Sequence, residues 1–158
     1  MNIKTIGVVG AGTMGNGIVQ VCATAGLKVI MQDINDTQVE RGLTTIAGSL
    51  DRLIKKEKIS EQDKQATLAN ISTTTALADL ADTDIVIEAA TENEAIKLDI
   101  FKQLDELCQP QTILASNTSS ISLTRIAGAT QRADQVIGMH FMNPVPIMAL
   151  VEIIRALQ

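Results

Sequence analysis

Ile6-Gly7-Val8-Val9-Gly10-Ala11-Gly12-Thr13-Met14-Gly15-Asn16-Gly17 is an apolar run that breaks into a Gly-x-Gly-x-x-Gly turn. A helix-compatible stretch then continues from Met14 to about Ala25. That order matches the first strand, phosphate turn and first helix of a dinucleotide-binding fold. Gly10 permits a sharp turn off the strand, Gly12 lets the main chain approach a pyrophosphate, and Gly15 lets the helix pack on the strand. Open amides and the helix dipole at this N-terminus favour negative charge. The six positions Gly10, Ala11, Gly12, Thr13, Met14 and Gly15 are therefore the first cofactor-site candidates.

A bare glycine turn is weak evidence of function, and the residues after it carry more weight. Gly26 stops the helix, and Leu27-Lys28-Val29-Ile30-Met31-Gln32-Asp33 reads as a second strand ending in an acid. An acid about 20 residues past the turn accepts hydrogen bonds from adenosine ribose hydroxyls and repels a 2′-phosphate. The neighbouring Ile34-Asn35-Asp36 offers no arginine, so Asp33 favours NAD over NADP. The plainer alternative is a surface Asp33 that opens a turn, with the glycines only shaping a bend.

Working outward, 35–58 carries a helical stripe of Val39, Leu43, Ile46, Leu50, Leu53 and Ile54. Ser60 is an N-cap candidate for another helix, with early acids behind it. Strands are expected at 71–74, 84–88, 112–116 and 136–141, and another apolar run at 150–154. A helical turn is placed near 77–80 and a short helix at 122–127. A helix at 94–108 is predicted to present Ile96, Ile100, Leu104 and Leu107 on one face. Alternating strands and helices imply a Rossmann-type doubly wound α/β fold, a mostly parallel sheet with helices on both faces.

The 158 residues make one domain, 1–158, large enough for a real core. Phe101 and Phe141 are the only aromatics, so the core rests on aliphatic side chains and stacking surfaces for nucleic acid are lacking. A net charge of −5 likewise argues against a polyanion partner. No apolar stretch has transmembrane length, the first strand leaves no room for a leader, and Cys22 and Cys108 are far apart. A cytoplasmic protein with two free thiols is expected. Cys22 reads as a core filler, and no His/Cys cluster has metal spacing.

Ligands of such sheets bind beyond the carboxyl ends of the strands. Four polar clusters fall there: Asp33, Glu88 to Glu92, Ser116 to Ser120, and His140 to Asn143. His140 is the only histidine, of a type able to exchange protons near neutral pH. The alternative is an imidazole satisfied by backbone. Glu152 interrupts an apolar run, where a carboxylate is costly unless paired or solvated. His140 is a candidate partner, and the solvent face of an edge strand is the alternative. Ser119 and Ser120 either cap the next helix or donate to a substrate oxygen. Lys55, Lys56 and Lys58 either solvate a helix end or meet a phosphate-bearing tail.

With the Gly10–Gly15 turn, Ser116-Asn117-Thr118-Ser119-Ser120 and His140-Phe141-Met142-Asn143-Pro144-Val145-Pro146 together, the chain resembles the NAD-binding domain of the L-3-hydroxyacyl-CoA dehydrogenases. The resemblance covers nearly the whole chain, and the latter two motifs are more specific than the glycine turn. It implies hydride transfer between a 3-hydroxyacyl-CoA, with 3-hydroxybutyryl-CoA expected, and NAD. It makes His140 the base for the 3-hydroxyl proton, Glu152 its pairing partner and Ser119 a donor to the reacting oxygen. Cofactor contacts extend to Asp33, Glu92, Lys97, Asn117 and Asn143, and coenzyme A contacts fall on Ser49 and Lys56.

The family continues into an all-helical domain that forms its homodimer and supplies an Asn near the substrate. This chain is expected to be truncated before that domain, to bind NAD with weak or no turnover, and to self-associate through the face left bare. Two other readings stay open: a dehydrogenase of a free hydroxy acid, and a non-catalytic nucleotide-binding module. The latter has no need of a His140–Glu152 pair.

Overall fold

A computed structural model describes residues 1–156, and the last two positions of the expected domain, Leu157 and Gln158, lie outside the described residues. The strands are β1 (Thr5–Val9), β2 (Lys28–Gln32), β3 (Ile71–Thr74), β4 (Ile85–Glu88), β5 (Ile113–Ser116), β6 (Val136–Phe141) and β7 (Val151–Arg155). The helices are α1 (Thr13–Thr24), α2 (Asp36–Lys55), α3 (Glu61–Ala69), α4 (Glu94–Leu107) and α5 (Leu123–Gly128). All described strands join one sheet in the order β3-β2-β1-β4-β5-β6-β7. Every pairing is parallel except β6 with β7. The doubly wound expectation holds, and the order reverses between β1 and β4, where such sheets open a ligand crevice.

The period of two along a strand divides the core between the two faces. Ile6 and Val8, Ile85 and Ile87, and Ala115 join one buried cluster with Ile18 and Val19 of α1 and Ile46 and Leu50 of α2. Val9, Val86 and Leu114 turn to the other cluster, with Phe101 and Leu104 of α4 and Ile126 of α5. Cys22 and Cys108 are free and buried, as expected, and burial pushes the Cys22 thiol up to about 11.

Local sequence explains most boundaries. Asn35 caps α2, and Ser60 and Asp63 form a reciprocal capping box at α3. Glu57, at φ 59°, turns the chain between them. One open alternative closes and one expectation is corrected. Ser119 and Ser120 do not cap α5, because the Ser122 side chain accepts from the Arg125 amide instead. On α4, Ile96 and Leu107 remain 53% and 37% exposed, while Lys97, Phe101 and Leu104 are buried. The buried stripe lies about one residue round the helix from the expected one. A lysine sits within it, and an apolar count assigns that position to solvent.

Candidate active site

Contacts at Gly10 and Gly15 leave no room for a side chain at either position of the turn. A Cβ on Gly15 would lie 1.8 Å from the Gly10 carbonyl oxygen, so α1 can start this close to β1 only with glycine there. Gly10, at φ +107°, is walled by Ala89, whose carbonyl oxygen would be 2.7 Å from an added Cβ. Gly12 faces open space, with nothing within 4 Å of an added Cβ. Beneath the turn, Asp33 Oδ2 accepts from the Ala11 amide at 2.8 Å and Oδ1 accepts from the Ile34 amide at 2.7 Å. The buried Asn16 side chain donates to Gly12 O at 2.7 Å.

The first amides of an α-helix lack intrahelical partners. Asn35, Ser60, Asn93 and Ser122 each cap one helix, and α1 alone among the described α-helices has no side-chain cap. Nor does its first turn carry an acid. Uncapped amides beside an open Gly12 fit a pyrophosphate, and Asp33 at the tip of β2 fits a ribose diol. The residues present therefore suit a dinucleotide.

A cleft of about 290 Å³ opens on this turn, lined by Gly12, Thr13, Met14, Glu92, Lys97 and Asn117 among others. Lys97 is 1% exposed and its ammonium pairs with Glu88, which is fully buried at the end of β4. Ser116 Oγ donates to the same Glu88 oxygen at 2.9 Å, and the other Glu88 oxygen accepts from the Ala90 amide at 2.8 Å. A buried ion pair persists only when its spare lone pairs are used in this way. It fixes the 88–90 segment, which is the wall against Gly10.

His140 and Glu152 occupy directly opposed positions of the β6–β7 ladder. Nδ1 stands 3.4 Å from Glu152 Oε1, with the two side chains 27% and 50% exposed. Glu152 is thus both on an edge strand and paired, so the two sequence alternatives describe one arrangement. The pair borders a cavity of about 510 Å³ that also takes Ser119, Thr118 and Ile154. The three expected catalytic residues are brought together. Asn117, which lines the cofactor-side cleft, accepts from the Phe141 amide at 2.8 Å and ties the serine-rich loop to the end of β6.

A third cavity, of about 400 Å³, lies between α1, α2 and the 143–147 segment. It takes Ser49, Lys56, Lys58 and Asn143, and meets the cofactor-side cleft at Thr13. Asn143 thus opens beside the expected coenzyme A contacts. Sequence reasoning missed three residues of these sites. Arg52 was legible, since Thr45, Ser49, Arg52 and Lys56 recur at three and four along one face of α2. Thr118 carried no such signal, because its partner Glu92 is 26 residues away, and Asn16 bonds the Gly12 carbonyl four residues back through a polar side chain that its place within a helix assigns to solvent. Among the described residues, no group of His, Cys, Asp and Glu side chains could hold a metal ion, and no helix is long and apolar enough to cross a membrane.

The family description "3-hydroxyacyl-CoA dehydrogenase, NAD binding domain" matches residues 5–158. The chain belongs to that family. It is 48% identical to a 3-hydroxybutyryl-CoA dehydrogenase of Bradyrhizobium diazoefficiens over 155 residues, which are 98% of this chain and 53% of the relative. The crystal structure of (S)-3-hydroxybutyryl-CoA dehydrogenase from Ralstonia eutropha superposes with a TM-score of 0.97 at 60% identity, over 99% of this chain and 56% of that one. A diketoreductase described as acting on dicarbonyl compounds gives 0.90 at 30% identity, over 97% of this chain and 55% of that one. The chain spans about half the length of the 3-hydroxybutyryl-CoA dehydrogenases it matches.

Proposed function

We propose that this NAD-binding domain carries the cofactor and proton-transfer residues of a 3-hydroxyacyl-CoA dehydrogenase, with 3-hydroxybutyryl-CoA as substrate. The observation that carries the reading is the His140–Glu152 pair on a cavity shared with Ser119, one loop from the cofactor-side cleft. NAD, when bound, would supply the acceptor for the hydride of C3 of the substrate. The Gly10–Gly15 turn and the amides of α1 would hold the pyrophosphate, Asp33 would hold the ribose, and Glu92, Lys97, Asn117 and Asn143 would complete the cofactor surroundings. Ser49 and Lys56 hold coenzyme A.

His140 takes the 3-hydroxyl proton at Nε2, because Nδ1 is turned to Glu152. The Glu152 carboxylate orients the ring and stabilises the imidazolium that forms. Ser119 donates to the same substrate oxygen, and the product is a 3-ketoacyl-CoA. In reverse, His140 returns the proton. The exposure of Glu152 leaves this cavity open to water, which screens charge at the reacting centre. The 158-residue chain accordingly binds NADH but turns over acyl-CoA slowly or not at all, and it self-associates through its exposed apolar 147–154 segment.

Titration of the chain with NADH and NADPH, followed by acetoacetyl-CoA, tests this. Binding of NADH in preference to NADPH, with slow or no oxidation, is the expected result. Failure to bind NADH sinks the reading, and oxidation as fast as in a 3-hydroxybutyryl-CoA dehydrogenase of full length overturns the role given to solvent exposure. A second reading, a dehydrogenase of substrates without coenzyme A, draws on the diketoreductase likeness. Loss of acetoacetyl-CoA binding in Lys56→Ala would favour the first reading over it.

A further inference from the structure

We infer that Thr118 and Glu92 form a hydrogen-bonded latch that positions Ser119, so that a wall of the cofactor-side cleft sets where the substrate oxygen is held. The inference rests on the role proposed above for Ser119. Neither the glycine turn nor the His140–Glu152 pair takes part in it.

Thr118 is 6% exposed, and all three bonding capacities of its hydroxyl are used. It donates to Glu92 Oε2 at 2.9 Å and accepts from the Ser120 amide at 3.2 Å and the Ile121 amide at 3.0 Å. The Ser120 hydroxyl donates to the same Glu92 oxygen at 2.8 Å. Below, the Thr118 amide donates to Ser116 Oγ at 3.3 Å, and Ser116 belongs to the buried Glu88–Lys97 cluster.

Both neighbours of Ser119 are therefore tied to one carboxylate oxygen, while Ser119 is exposed and borders the cavity of His140. Glu92 borders the cleft of the glycine turn. A hydroxyl has one proton and two lone pairs, so giving the proton to Glu92 leaves both lone pairs for the two turn amides. A valine of the same shape loses all three bonds, and a serine keeps them. Thr118 and Glu92 are positioning residues, acting on the reaction through Ser119.

The test compares Thr118→Val, Thr118→Ser and Glu92→Ala. In amide hydrogen exchange followed by NMR, Ser120 and Ile121 are expected to exchange about tenfold faster or more in Thr118→Val and Glu92→Ala. Thr118→Ser should stay within about threefold of the original chain. Where turnover of acetoacetyl-CoA with NADH is measurable, Thr118→Val should lower it about 10- to 100-fold. The NADH dissociation constant should remain within about twofold, and Thr118→Ser should restore the rate.

Unchanged exchange in both disruptive variants overturns the latch. NADH affinity falling in step with turnover in Thr118→Val also overturns it, since Thr118 would then belong to the cofactor wall. Should Thr118→Val fail to fold, the amide exchange of Glu92→Ala decides alone, because Glu92 is an exposed residue whose loss leaves the core intact. A chain that binds no NADH fails the proposed function by itself, and the exchange measurement then still decides the latch.

Discussion

The two ends of the site are built differently. At the glycine turn the tolerances are set by backbone against backbone: Gly15 against Gly10, Gly10 against Ala89, and both over the buried Glu88–Lys97 pair. At the β6–β7 hairpin, His140 and Glu152 meet across one antiparallel ladder at the sheet edge, with both side chains partly in solvent. Around them Ile147, Leu150 and Ile153 are 75%, 59% and 58% exposed. The cofactor end is pre-formed by packing that any folded copy of the chain must adopt. The hairpin end has His140 and Glu152 in register but open to solvent. On the function proposed above, cofactor binding and proton transfer are therefore separable in this chain, although their residues share one sheet.

Replacing Lys97 by Met attacks the base of the cofactor end most heavily. It strands a fully buried carboxylate at Glu88, and removing one partner of such a pair costs about 3–5 kcal/mol. Circular dichroism melts read this directly, and an unchanged midpoint would show that the pair is not what holds the 88–90 wall. Gly15→Ala should weaken NADH binding by about 100-fold, or about 3 kcal/mol, since the helix must retreat from the turn. Affinity within a factor of two of the original would refute the packing account.

His140→Gln sharpens the contrast from the other side. Where turnover is measurable it should fall about 100-fold or more, while the NADH dissociation constant stays put. Parallel loss of both would mean that the two ends are not separable. Ile153→Lys should reduce concentration-dependent association in light scattering by about tenfold, as expected when one exposed apolar anchor becomes charged. No change would place the contact elsewhere.

The smallest effect is expected at the opposite end of the sheet. There Asp84 accepts from the Lys4 amide at 2.8 Å and the Thr5 amide at 3.0 Å, and these bonds hold its carboxyl below the ordinary value of 3.8. A depressed carboxyl stabilises the fold above its unfolded pKa and loses that contribution as pH falls through the folded one. Asp84→Asn should therefore flatten the stability curve below pH 3.8 and leave NADH affinity untouched. An unchanged acid limb would contradict the assignment.

Much of this was legible from residue order because the signals are local. The glycine spacing, the acid after β2, the Ser60 N-cap and the period-two strands depend on neighbours a few residues apart. The family resemblance singled out His140, Glu152 and Ser119, and the fold gathers them on one cavity. The phase of α4 was misread because Lys97 is polar by type yet buried, and only Glu88, nine residues away on another element, makes that burial possible. The capping role first open to Ser119 and Ser120 went to Ser122 for a similar reason, since Glu92 holds Thr118 and Ser120 across 26 and 28 residues. Residue order determined the strands, the turn and the chemical types at the strand ends. The tertiary structure alone decided which charges are buried together and which hydroxyls are already spoken for, because a polar group's partner is chosen by distance in space.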